Sequence, residues 1–360
     1  MENFERFDIL SDDSDHHFHS LRLKRKSKKQ KHSGEAASSN LEIERPVPNC
    51  FTNTGSGGYK RIMKEWKILA NSLPESIYVR VYENRIDLLR AMIVGVAGTP
   101  YHDGLFFFDI LFPPDYPNDP PCVHYRSYGF KINPNLYSNG DVCLSLINTW
   151  LGKNNERWDP SRSSILQLLV SLQGLVLNEK PIFNEFGSEI LPPIFHKYAQ
   201  AYNDTVFLLS CKTMLCVLQN PPLNFEAFVV MHFRDRARAI LIACNDYVNG
   251  RVRVGRYSHE GQGARSRVRV SHKFRKAIQL VYPQLFAAFL KSGAMLESGL
   301  EQLKMQERNG SSKNVGDRKY RVIVRNVIGK IRKFYVSMTR SREKIDINFI
   351  PGEAEVAATR

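Results

Sequence analysis

Between Lys131 and Trp150 the chain reads KINPNLYSNGDVCLSLINTW, which sets Cys143 just past an Asn-Pro-Asn turn and a Ser-Asn-Gly-Asp turn. Turn chemistry of this kind places a thiol on a loop rather than inside a strand. A cysteine has ordinary roles as a small buried hydrophobe, a zinc ligand or half of a disulfide, and the first of these stays open. Zinc would need partners at ligand spacing, and the nearest, Cys122 and His124, lie some twenty residues upstream with no C-x-x-C in the chain. No metal site is therefore expected. The six cysteines show no framework spacing and read as reduced thiols of a nuclear or cytosolic protein. The chemical role is that of a nucleophile, acting as thiolate. His102 and His124, the nearest histidines, are distant in sequence, which argues against a Cys-His hydrolase with its base hydrogen-bonded to sulfur. A thiol without a dedicated base suits exchange with a thioester, where one sulfur replaces another. Such a site needs a donor for the developing oxyanion, worth roughly a hundred- to a thousand-fold in rate. Asn135, on the upstream turn, carries a side-chain amide that could reach back to supply it.

The flanking patterns supply the elements that must position this loop. YKRIMKEWKILANSLP puts Ile62, Met63, Trp66 and Leu69 at helical spacing and stops before Pro74. Three strand-like runs follow, SIYVRVYE, LLRAMIVGVAG and GLFFFDILF, separated by turn signals at Glu83-Asn84 and from Gly98 to Gly104. FPPDYPNDPP is too rich in proline for a central strand or a helix interior, and CVHYR makes a short fourth strand. Past Trp158, SSILQLLVSLQGLVL is apolar nearly all round and predicts a buried helix, with Ser161, Ser163 and Ser164 as N-cap candidates. Helical patterns run from Leu191 to about Leu218, from Asn224 to Val248, and around Pro283 as one helix or a kinked pair. In the second of these Phe225, Phe228, Val229, Phe233, Ile240, Leu241, Cys244 and Val248 share one face. The plan is α+β: a four-stranded antiparallel meander with flanking helices and a C-terminal helical extension.

Charge is unevenly spread. The whole chain of 360 residues carries +15, yet Gly57 to Asp204 holds 14 Lys and Arg against 15 Asp and Glu. The excess sits in LRLKRKSKKQK (Leu21 to Lys31), in Arg251 to Lys276 with nine basic residues and one acidic, and in the tail from Ser311 to Arg360. Charge on linkers and ends, with few aromatics among it, disfavours nucleic-acid binding by the folded face. No apolar run reaches the length of a membrane span. The expected division is a disordered basic N-terminal arm at 1–58, a catalytic core at 59–218, a helical extension with a basic linker at 219–300, and an unassigned basic tail at 301–360.

FPPDYPNDPP, then NPNLYSNGDVCLSL, then a WDP turn and a long apolar helix resemble the ubiquitin-conjugating enzymes in order and spacing. The resemblance covers roughly Tyr59 to Leu218. It looks most like the branch of large hybrid conjugating-ligating enzymes, the inhibitor-of-apoptosis-type conjugating enzyme and a plant set, and the length and the helices after Leu218 look most like the plant set. The resemblance implies the ubiquitin-conjugating fold and a role for Cys143 as the ubiquitin-accepting cysteine, which takes ubiquitin as a glycyl thioester and passes it to a substrate lysine. Pro134 and Asn135 match the end of the family's His-Pro-Asn motif, with Asn133 in place of the histidine. Asn135 would bind the oxyanion or brace the loop. Glu185, with Asn184, is the nearest candidate for the acidic residue that helps the incoming lysine. Lys60, Arg61, Lys64 and Lys67 are expected as exposed basic positions of the first helix, either docking the activating enzyme or forming a solvated face. Asn118 stands where many members carry an apolar residue against RING-type ligases, and Asp159 and Pro160 of the WDP turn complete the partner-binding set. Tyr116 and Trp158 read as structural. The implied partners are ubiquitin, its activating enzyme, a ligase and protein substrates. No cofactor is implied, since ATP is used upstream by the activating enzyme. The alternative is a catalytically inactive ubiquitin-binding scaffold of the same fold, though scaffolds of that kind lack the cysteine.

Overall fold

Ser56 opens helix α1 (Gly57–Ser72): its hydroxyl accepts the Tyr59 amide, and Ile62, Trp66 and Leu69 bury one face. The helix stops at Leu73, ahead of Pro74. The computed structural model describes residues 4–20, 56–150, 156–184, 195–256 and 268–296, all within a compact unit spanning Met1–Glu301. The basic run at 21–31 and the tail at 301–360 lie outside the described residues.

The four expected strands are β2 (Ile77–Tyr82), β3 (Leu88–Val94), β4 (Leu105–Leu111) and β5 (Cys122–Tyr125), an antiparallel meander. A fifth strand, β1 (Phe7–Leu10), precedes them and pairs parallel to β2, with Phe7 opposite Val79. For residues 4–20 this corrects the reading of a disordered arm at 1–58; residues 21–55 lie outside the described residues. FDIL is too short to show alternation, and its order comes from the sheet edge that receives it.

One face of the sheet, carrying Val79, Ala91, Phe108 and Tyr125, packs under α1 and α2 (Ile165–Ser171) in the main core. The other face is covered as well, so every residue of β4 is buried. Phe18 packs there with Tyr82, Leu88 and Leu111, while Phe4 meets Tyr78, Phe225 and Phe228. Across this second face runs a registered polar row of Arg80, Arg90, Asp109 and His124. Arg90 is fully buried and held by Asp109 at 2.6 Å and by Asp15 at 2.6 Å. Arg80, opposite Arg90, instead lies over the rings of Phe4 and Phe225 at 4.4 and 4.9 Å. Asp15 also accepts the Leu223 amide at 3.0 Å, which ties residues 4–20 to the approach to α4 (Glu226–Val248).

Ser164 caps α2 through the Gln167 amide. The helix continues as one π turn, Leu172–Val176. Its expected all-round burial is wrong: Val170 and Leu175 are 45% and 64% exposed, because packing is needed only on the side that meets α1 and the sheet. Helix α3 (Phe195–Gln219) follows, and α4 buries Phe228, Val229, Phe233, Ile240, Leu241, Cys244 and Val248 as its pattern predicts. Helix α5 (His272–Lys291) runs through Pro283 as one element and packs on α3 and α4. Among the described residues no helix is long and apolar enough to cross a membrane.

Candidate active site

The loop bearing Cys143 is assembled from its own backbone. Leu136 bridges both Asn133 and Val142, and Tyr137 and Asp141 close the turn between them at 3.0 Å. Gly140 makes that turn possible: its φ is +94°, and a Cβ there would lie 2.0 Å from the His124 ring. Cys143 then donates its amide to the Asn135 carbonyl at 2.9 Å, and Asn135 Nδ2 donates back to the Cys143 carbonyl at 2.8 Å. This reciprocal pair fixes a partly exposed thiol. Downstream, Thr149 Oγ1 accepts the Leu144 amide and donates to the Val142 carbonyl, closing a 3-10 turn at Ser145–Ile147. Trp150, 38% exposed, follows directly. Burial pushes the Cys143 thiol up from its ordinary value, with Asp141 adding to the rise, while Tyr137 and Lys131 pull it partly back. The resting group is therefore mostly thiol at neutral pH.

Asn133 stands in place of the histidine of the His-Pro-Asn motif, and its carboxamide makes the connections at this position. It is fully buried. Its Oδ1 accepts the Asn135 amide at 2.8 Å, and its Nδ2 donates to Tyr101 Oη at 2.8 Å and to the Val176 carbonyl at 2.7 Å. Tyr101 Oη in turn donates to the Ile132 carbonyl at 3.0 Å. Asn184 Nδ2 reaches the Val176 carbonyl at 3.1 Å and Asn133 Oδ1 at 3.4 Å, and its Oδ1 accepts from Asn178 at 2.6 Å. Sequence reading missed Tyr101, which lies within a Gly-rich turn signal. The turn admits it because Gly95 sits where a Cβ would be 1.9 Å from the Tyr101 carbonyl oxygen.

The structure spreads the remaining candidates over the molecule. Lys60, Lys64 and Lys67 are exposed on α1. Arg61 is not an exposed docking position: its side chain is 17% exposed, pairs with buried Glu65 at 3.0 Å and donates to the Ser163 carbonyl at 2.7 Å. Glu65 also accepts from Tyr116 Oη at 3.0 Å and from the Ile165 amide at 3.1 Å, so α1, the proline-rich turn and α2 share one buried carboxylate. Trp158 Nε1 donates to the Pro117 carbonyl at 2.7 Å, which holds the WDP turn against the proline-rich turn. Asn118 and Pro160 are exposed. Asp159 accepts from Ser161 and Arg162, and these contacts lower its pKa to about 2. Glu185 lies outside the described residues, one position past Asn184.

Both ring nitrogens of His102 are committed to other partners. His102 Nδ1 bonds Asp103 at 2.8 Å and its Nε2 bonds Tyr247 Oη at 2.9 Å. His124 stacks on His17 at 3.4 Å. The His102–Asp103 pair is instead a clamp from α4, since Arg236 Nη2 lies 2.6 Å from Asp103 and His232 Nε2 bonds the Asp103 carbonyl at 2.9 Å. The helical extension thus grips the same turn that carries Tyr101.

The site is thus a partly exposed thiol on an α+β fold, braced by the carboxamides of Asn135 and Asn133. A family model described as "Ubiquitin-conjugating enzyme" matches residues 61–206. The Arabidopsis thaliana "Putative ubiquitin-conjugating enzyme E2 39" is 44% identical over 300 residues, covering 83% of this chain and 86% of that protein. "Probable ubiquitin-conjugating enzyme E2 23" of the same plant is 43% identical over 297 residues, 81% of this chain and 24% of its own. Human "Dual E2 ubiquitin-conjugating enzyme/E3 ubiquitin-protein ligase BIRC6" is 38% identical over 212 residues, 56% of this chain and 4% of that protein. The chain belongs to the ubiquitin-conjugating enzyme family. It spans 24%, 29% and 37% of the length of three of its curated plant relatives.

Proposed function

We propose that Cys143 accepts the ubiquitin C-terminus from an activating enzyme and passes it to a substrate lysine. The observation that carries this reading is the reciprocal Asn135–Cys143 pair, which holds a partly exposed thiol on a loop within a chain of this family. In the first step the Cys143 thiolate attacks the thioester carbonyl of the charged activating enzyme. The tetrahedral intermediate collapses, the carbonyl–sulfur bond to that enzyme breaks, and its thiolate leaves. In the second step a lysine amine attacks the new thioester, Cys143 leaves as thiolate, and the amine proton goes to a base or to water.

Asn135 acts as a loop brace in the resting state, because its amide is committed to the Cys143 carbonyl. Donation to an oxyanion would need that bond to open. The incoming lysine, with an ordinary pKa of about 10.4, must lose a proton to react. Glu185 is the carboxylate we assign to orient it, on the strength of its place next to Asn184 in the sequence.

A pulse-chase experiment tests the transfer half. The thioester is formed with ubiquitin, activating enzyme and ATP, charging is quenched, and free lysine is added. Loss of the adduct that accelerates with lysine concentration supports the reading. An adduct indifferent to lysine would contradict it and favour the scaffold alternative.

A further inference from the structure

From Tyr247 to Arg256 and from Val268 to Leu296 the chain has eight Lys and Arg residues and no Asp or Glu. Seven of the eight meet at the exit of α4. The Val268 amide donates to the Gly250 carbonyl at 2.8 Å, and Arg275 Nε donates to the Val248 carbonyl at 3.1 Å. The 251–256 loop, the 268–270 stretch and the first turns of α5 are thereby brought to one place. All seven basic side chains there are exposed. Arg251 is paired with Asp246 at 2.7 Å and Arg256 with Glu179 at 3.4 Å. Arg253, Arg269, Lys273 and Lys276 have no carboxylate within ion-pair distance among the described residues.

Folding does not account for this concentration. Like charges held together repel, and those on the first turns of α5 also face the positive end of its helix dipole. An anionic partner offsets both. Among the described residues of this surface Tyr247 and Phe274 are turned inward, 1% and 6% exposed, which leaves the His272 ring exposed and no Tyr, Phe or Trp presented for base stacking. That favours polypeptide carboxylates over a nucleic acid. The patch also adjoins the cysteine's supports. Glu179, the partner of Arg256, gives its carbonyl to Asn203 at 2.9 Å and directly follows Asn178, which bonds Asn184 beside Asn133.

We infer that this surface docks an acidic segment of the acceptor protein, so that lysines flanked by Asp and Glu are the preferred acceptors. The inference rests on the reading of Cys143 as a ubiquitin carrier. The test uses the full chain, its Arg269→Glu, Lys273→Glu, Lys276→Glu triple variant, and two labelled lysine peptides, one rich in Glu and one with Gln in its place. Acidic residues suit the start of a helix, so the triple variant should keep its fold. Binding to the uncharged protein is read by anisotropy, and acceptance is read by discharge of the preformed thioester.

Wild type should bind and use the Glu peptide about tenfold better at low salt, the scale of a few exposed charge pairs acting together. The preference should shrink as salt rises. The triple variant should lose it while discharge to free lysine is unchanged. Salt dependence in wild type keeps the inference open to refutation if the variant fails to fold. Equal binding of the two peptides, a preference that survives the triple substitution, or tighter binding of an oligonucleotide of equal charge would overturn it. Failure to charge with the peptide preference intact would contradict the carrier reading and leave the docking surface standing.

Discussion

At the scale of single residues the site is a problem in placing a partly exposed thiol. Asn135 and Asn133 do this with carboxamides, and Tyr101 supplies the anchor behind them. Tyr101→Phe removes the hydroxyl that serves both Asn133 Nδ2 and the Ile132 carbonyl in a fully buried setting. It should cost about 1–3 kcal/mol in urea unfolding and slow charging of Cys143, and a variant of wild-type stability and rate would refute the anchor. The thiol itself makes a second prediction. Burial raises its pKa, so alkylation of Cys143 should climb about tenfold per pH unit through pH 8 and beyond, as the thiolate fraction does. A plateau near pH 7 would mean an activated thiol and contradict the environment described.

At the scale of elements, two segments outside the meander hold it in place. Residues 4–20 are fastened by Asp15, which reaches Arg90, Arg126 and the Leu223 amide. Asp15→Ala should destabilise the protein by about 1–3 kcal/mol, since it strips a charged partner from buried Arg90. It should also expose residues 4–20 to limited proteolysis, and resistance equal to wild type would show the segment held by its apolar contacts alone. Helix α4 fastens the opposite side through Arg236 and His232 on Asp103. The meander and α1 were legible because long periodic runs leave one reading. The strand Phe7–Leu10 was not, because four residues in an acidic setting take their order from a distant edge. The same limit hid Tyr101 and Asp15, whose roles depend on partners far away in sequence. Cys143 and Asn135 were legible because both stand on a local turn. Arg61 was misread because its exposure is decided by Glu65, a charge that the sequence alone places on the helix but not inside the molecule.

At the scale of the whole molecule, burial of both sheet faces sets the acid behaviour. His16 is neutral, although it lies 3.7 Å from Asp109. Its Nδ1 accepts the Phe18 amide, so its Nε2 carries the proton donated to the Leu89 carbonyl. Burial, aided by the Arg90 charge, lowers its pKa. Burial and neighbouring His17 lower that of His124 to about 4. Below the ordinary value of 6.5 the unfolded chain therefore binds more protons than the native one, and stability falls as pH drops from about 6.5 to 4. Asp103 and Asp109 are held at about 2 against burial, chiefly by hydrogen bonds from His102 and Arg90 respectively. Their contribution is present above about 3.9 and lost as pH falls toward 2. Urea midpoints should decline in two stages between pH 7 and 2. A midpoint unchanged between pH 7 and 5 would contradict neutral histidines on the covered face.

The central claim is that this fold presents Cys143 to receive ubiquitin. The direct measurement is a charging reaction of the full chain with ubiquitin, activating enzyme and ATP, resolved on non-reducing gels with and without thiol, for wild type and Cys143→Ser. The account predicts a thiol-labile adduct in wild type and either a thiol-stable ester or no adduct in the variant. A thiol-labile adduct that persists in Cys143→Ser, or no adduct in wild type, would contradict it.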